Sequence, residues 1–112
     1  MRSFIMGFML LAVTACISPF GTGERRFTGV YVEGLEVMVF EPAGTDQSWA
    51  ATGETSSLRA ALPPGVDPAP GFRVCATIMG RVSPIGRYGH LGLFSREIEI
   101  TQVIEAHPEP CT

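Results

Sequence analysis

The segment FRVCATIMGRVSPIGRYGHLGLFSREIEITQVIEA, residues 72–106, decides how this chain folds. Over residues 72–82, Phe72, Val74, Ala76, Ile78 and Val82 fall on one face, and Arg73, Thr77 and Arg81 on the other. Period-2 alternation of this kind is the pattern of a half-buried strand. Gly80 interrupts the apolar face, where a glycine marks a bulge or a sharp bend of the sort small barrels use. Residues 96–106 repeat the pattern, with Ile98, Ile100, Ile104 and Ala106 opposite Glu97, Glu99, Thr101 and Glu105. It slips at Gln102-Val103, so a bulge or a change of strand partner is expected there. The glycine-rich connection SPIGRYGHLGLFS, residues 83–95, joins the two.

Working back towards the N-terminus, PPGVDPAP (63–70) is too rich in proline for any regular element. Before it, Thr55-Ser56-Ser57 offers a hydroxyl cap to a helix over 58–62 that Pro63-Pro64-Gly65 must stop. With two turns at most, this helix is a lid or plug and not a framework element. Residues 47–52 read as a short strand with Trp49, the single tryptophan, as a core anchor. Residues 27–40 alternate on either side of Gly34, as one strand kinked there or as a tight pair, until Glu41-Pro42 and the turn chemistry that follows.

The order is strand, strand, strand, short helix, long loop, strand, strand. Five strands with a helix between the third and fourth is the order of an OB-type barrel. The expected fold is therefore all-β: a small five-stranded OB-like barrel with one short helix. An open sheet or a small sandwich has the same strand count.

The barrel accounts for residues 27–112 of a 112-residue chain, one small domain. Residues 1–15, MRSFIMGFMLLAVTA, belong to something else. Arg2 is a positive n-region, the apolar run 4–13 is short for a bilayer span, and small residues follow: a secretory signal. Val13-Thr14-Ala15-Cys16 resembles the bacterial lipobox. That resemblance implies a diacylglyceryl thioether on Cys16, cleavage before it and acylation of the new amino terminus. Each buried methylene of such chains contributes roughly 0.8 kcal/mol, which makes a stable anchor. An ordinary cleavable signal or a single membrane helix are the other readings. Ile17, and not aspartate, follows the cysteine, which leans towards the outer membrane, facing the periplasm. Residues 16–26 then form the lipidated cysteine and a short tether.

All eight basic residues are arginines, and beyond Arg2 seven of them face eleven acids, a formal charge of −4. Nucleic acid calls for a basic face, so it is not an expected partner. The same balance argues against electrostatic adhesion to anionic lipid. Once Cys16 carries lipid, Cys75 and Cys111 remain. In an oxidising compartment an even pair in a small domain is most simply a disulfide, with two separate buried thiols as the alternative. No C-x-x-C or zinc spacing is present.

Chemistry is sparse. Ser48, Ser56, Ser57, Ser83 and Ser95 lie in no G-x-S-x-G context. Glu97, Glu99 and Glu105 read as a solvated face paired across the sheet with Arg73 and Arg81. The isolated His90 and His107 do not suggest a metal site. No cofactor is expected. Arg87, Tyr88 and His90 share the 83–95 connection, and with Arg81 they form the candidate partner surface. The bland reading of that loop is a turn in which Gly86, Gly89 and Gly92 supply positive φ and His90 bonds a neighbouring backbone group.

Spaced positions across the domain resemble the C-terminal OB domain of NlpE-type envelope lipoproteins. They are Gly29-Val30-Tyr31, Phe40-Glu41, Leu58 with Ala60-Ala61-Leu62, Gly80, residues 98–104, Ala106, Pro108 and Cys111. The resemblance implies an OB barrel whose terminal cysteine is stapled to a partner just after the Phe-Glu pair. Pro42 stands there in this chain, so the staple would be made from Cys75 on a different strand. That family's C-x-x-C has no counterpart, and its copper association does not carry over. The expected function is a membrane-anchored, non-enzymatic interaction module at the bacterial cell envelope, held by its acyl anchor and contacting an envelope protein. A periplasmic small-ligand binder or hydrolase inhibitor, inserting the 86–92 loop into a target, is the alternative.

Overall fold

The computed structural model describes residues 23–111. The leader, the lipobox with Cys16 and most of the tether lie outside the described residues. β1 (Arg25–Gly34) and β2 (Val37–Pro42) form a tight antiparallel hairpin, Gly34 opposite Val37, around Leu35-Glu36. Of the two forms open to residues 27–40, the pair is the one adopted. β3 (Trp49–Gly53) leads to α1 (Ser56–Arg59), and β4 (Phe72–Val82) and β5 (Glu97–Pro108) complete the set. The strands close into a barrel in the order β1-β2-β3-β5-β4, with β4 returning to β1. Parallel pairing of β3 with β5, from Ala50 opposite Glu97 to Gly53 opposite Ile100, makes the closure. That pairing rules out the open sheet and the sandwich.

β4 has the bounds its alternation predicts, and Gly80 lies at a register shift between β4 and β5. A Cβ on Gly80 would press on the Glu99 carbonyl and the Ile98 side chain, so glycine permits the close approach of β5. A second shift lies between Thr77 and Ile78. The two bulges leave Thr101 and Ile104 of β5 without a partner. Each re-phases the strand, so the inward positions run Ile98, Ile100, Val103, Ala106. Ile104, expected inside, is therefore exposed, and Val103 packs on the core in its place.

The core joins Tyr31, Phe40, Trp49, Phe72, Val74, Ile78, Ile98 and Ile100. Trp49 meets Phe27 edge-on at 5.4 Å between centroids, and its indole N–H donates to Gln47 at 2.9 Å. An aromatic anchor of this kind is stable when its polar tip finds a partner. Leu58 of α1 is fully buried against the core, as a plug requires. The expected hydroxyl cap is not made: Thr55 precedes α1 without a side-chain bond to it, and its Oγ1 points at the Met38 sulfur. At the same end the Tyr31 hydroxyl donates to Glu33 at 2.9 Å, and Arg59 Nε donates to the other Glu33 oxygen at 2.9 Å. Burial first, then the Glu33 hydrogen bond, push the Tyr31 phenol well above its ordinary range.

Cys75 lies on the outer face of β4 yet is buried, and Cys111 reaches it at disulfide distance, 5.1 Å between Cα atoms. Arg81 pairs with Glu99 directly across the ladder at 3.2 Å, as expected. Arg73 does not join that face. It bridges Glu41 at 2.8 Å and Glu109 at 3.0 Å, because it lies opposite Val32, at the far end of β4 from Glu97 and Glu99.

Candidate functional site

Residues 83–95 leave β4 and fold back over the barrel wall. Ser83, buried, fastens the base: its N–H donates to the Glu97 carbonyl at 2.8 Å, and its Oγ accepts the Glu97 N–H at 2.8 Å. Arg96 adds a bond to the Ser83 carbonyl at 3.0 Å. Further out, Tyr88 and Phe94 exchange backbone hydrogen bonds of 2.9 and 3.1 Å, which makes a one-rung ladder inside the loop. The Tyr88 hydroxyl donates to the Pro84 carbonyl at 2.9 Å. A single 3-10 turn, His90–Gly92, forms the tip. Gly89 and Gly92 supply positive φ as expected, and Gly86 does not. Gly86 instead lies under the Tyr88 ring, where a Cβ would collide with it. Gly89 is needed twice over: its φ is 70°, and a Cβ there would strike the Ala50 methyl and the Phe94 ring.

The loop therefore rests on the sheet, and Val39 and Ala50 are buried although they face outward from the barrel core. The ladder between β2 and β3 has two pairs, Val39 opposite Ala50 and Phe40 opposite Trp49. Where it ends, a groove of about 180 Å³ opens between the unpaired ends of the two strands. Glu36, Val37 and Met38 line one side, and Ala50, Ala51 and Thr52 the other. Gly89, His90, Phe94 and Glu97 form the rest of the wall. Burial, and second the charge of neighbouring Glu99, raise the Glu97 carboxyl above the ordinary glutamate range. A separate hollow of similar size lies by Gly34, Leu35 and Pro68, but its charges, Glu33 and Arg59, already satisfy each other.

The predicted surface residues take different places. Arg81 is engaged with Glu99 on the strand, and Arg87 is exposed on the loop beside Gly92. Tyr88 is half-buried and spent on the loop's own structure, while His90 alone lines the groove. The imidazole of His90 makes none of the hydrogen bonds found among the described residues. Ile85, Leu91 and Leu93 are functional candidates that the sequence patterns above do not mark. They are 74 %, 80 % and 74 % exposed, three large aliphatics held in solvent on one loop. Their signal was present, since three aliphatics inside a glycine-rich segment of no fixed period have no core to face. Glu36, Thr52 and Glu97 carry no such signal, because only the truncated β2–β3 ladder and the parallel β3–β5 ladder bring them together.

Fold and loop together define a closed five-stranded β-barrel of OB type with an ordered β4–β5 loop and an acidic groove beside it. No family model, curated protein or solved structure matches the chain.

Proposed function

We propose that this chain is a bacterial lipoprotein, acylated at Cys16 and held at the cell envelope on the periplasmic side of the outer membrane. Its barrel serves as a non-enzymatic interaction module that docks on an envelope protein. A Cys75–Cys111 cystine, formed in that oxidising compartment, fixes the tail to the barrel. One observation carries the docking reading: the β4–β5 loop is internally bonded, yet it holds Ile85, Leu91 and Leu93 in solvent next to the exposed Arg87 and His90. An ordered loop loses little entropy on binding, and its exposed aliphatics supply the apolar centre of an interface. A hydrolase inhibitor needs a loop free to enter a cleft. Here Gly89 and Phe94 lie against the barrel wall, which favours docking of the whole face.

Two measurements test this. Leu91→Ser/Leu93→Ser and Arg87→Ala/His90→Ala variants, used as bait in detergent-solubilised envelopes, are each expected to lose a partner that the wild type retains. An unchanged set of retained proteins removes the loop from consideration. The anchor is tested apart from the loop: wild type is expected in the detergent phase on Triton X-114 partitioning, with acyl mass on Cys16, and Cys16→Ser in the aqueous phase. A wild-type chain that stays aqueous refutes the lipoprotein reading.

A further inference from the structure

We propose that the groove between β2, β3 and the β4–β5 loop takes a basic side chain from an extended segment of the partner, its cationic head held between Glu36 and Glu97. The inference rests on the interaction-module reading and names the chemistry of what that module recognises.

The charge pattern comes first. Among the described residues neither Glu36 nor Glu97 belongs to an ion pair, whereas Glu33, Glu41, Glu99 and Glu109 all do. The arginines near the groove do not line it: Arg96 bonds the Ser83 carbonyl, Arg59, which shares a neighbouring hollow with Glu36, pairs with Glu33, and Arg87 is exposed on the loop beside Gly92. Two acidic residues therefore line one small space that no arginine lines. Burial first, and then the charge of Glu99, raise the Glu97 carboxyl, and an incoming cation would favour its ionised form.

Shape narrows the occupant. About 180 Å³ is below the roughly 300–1,000 Å³ usual for small-molecule sites, and it suits a single side chain. Val37 and Thr52 offer apolar contact to an aliphatic stem, and the Phe94 ring is a face on which a cation is stabilised. The β2–β3 ladder stops short of Val37 and Met38, so strand backbone lines the groove beyond the last pair. Such an unpaired stretch accepts an extended chain as an added strand. Acidic walls oppose a phosphate backbone, which separates this occupant from an oligonucleotide.

The test uses the full chain in non-ionic detergent and fluorescein-labelled acetyl-Val-Lys-Val-Lys-Val-amide, followed by fluorescence anisotropy. The same peptide with glutamate in place of lysine is expected to bind at least about tenfold more weakly. Glu97→Gln and Glu36→Gln, the second on an exposed hairpin turn that tolerates change, should each weaken the lysine peptide about three- to fivefold. Glu105→Gln, on a distant part of β5, should leave binding unchanged. Equal affinity for the two peptides, or indifference to both groove variants, overturns the proposal. So does displacement of the peptide by n-butylamine at equal concentration, which would make this a site for free amines. Used as envelope bait, Glu97→Gln and Glu36→Gln should release the partner that the loop variants release. If the loop variants lose that partner and both groove variants keep it, this inference fails while the docking reading stands.

Discussion

Leu58→Ala is expected to lower the unfolding free energy by about 3 kcal/mol, within the roughly 2–5 kcal/mol usual for emptying a leucine site. Leu58 is fully buried, and it is the one buried residue of a four-residue helix. A helix that short cannot sustain itself, because nucleation costs more than a single turn returns. Its side chain therefore does two things: it fills the barrel end, and it holds α1 and Arg59 in place over Glu33. Removing it leaves a cavity and also frees the helix. A domain of this size is stable by roughly 5–10 kcal/mol, so a large share is at stake. Urea denaturation followed by Trp49 fluorescence measures the loss. Leu62→Ala, where the side chain is only partly buried, is the control and should cost about half as much or less. A loss below about 1 kcal/mol for Leu58→Ala would mean that α1 lies on the barrel without closing it.

What was legible in the sequence follows a physical rule. β4 was readable to the residue because its alternation runs from Phe72 to Val82 with a single break in the apolar face, Gly80, which has a steric reason. β5 was readable as a strand but not in phase. Period-2 reading puts Ile104 inside, and only the pairing with β4 reveals that bulges advance the inward positions by three, from Ile100 to Val103 to Ala106. The slip at Gln102-Val103 announced an irregularity without saying how many. Thr55 shows a different limit: a hydroxyl in a capping position forms the bond only if the backbone presents an N–H to it. Here α1 is so short that Thr55 turns to Met38 instead. The groove was the least legible feature. Ala50 and Glu97 are forty-seven positions apart and adjacent in the parallel ladder, and nothing local in either stretch records that meeting. The loop was half-legible. Its glycines and His90 drew the eye as polar chemistry, while the structure shows its three aliphatics to be the more unusual exposure.

The second large effect is expected from Cys111→Ser. Cys75 and Cys111 lie 36 positions apart, and a cystine there constrains the unfolded chain by about 3–4 kcal/mol on the chain-entropy estimate. Cys111 is the position to change. It is exposed near the end of the described tail and its Sγ lies 3.6 Å from the Gly29 carbonyl, so a serine hydroxyl there has a partner, whereas Cys75 is buried and a serine in its place would bury a polar group. The loss has a signature that a packing defect does not share. Without the cross-link the denatured ensemble expands and exposes more surface on unfolding, so the urea m-value should rise along with the fall in midpoint. Leu58→Ala should lower the midpoint at constant m. Reductant supplies the closing comparison. With the bridge reduced, wild type should match Cys111→Ser to within about 0.5 kcal/mol, because both then lack the same constraint. The variant itself should be indifferent to reductant. A wild type that titrates two free thiols before any reductant is added, or a variant whose m-value is unchanged, would mean that the tail is held to β4 by the Arg73–Glu109 pair and packing alone.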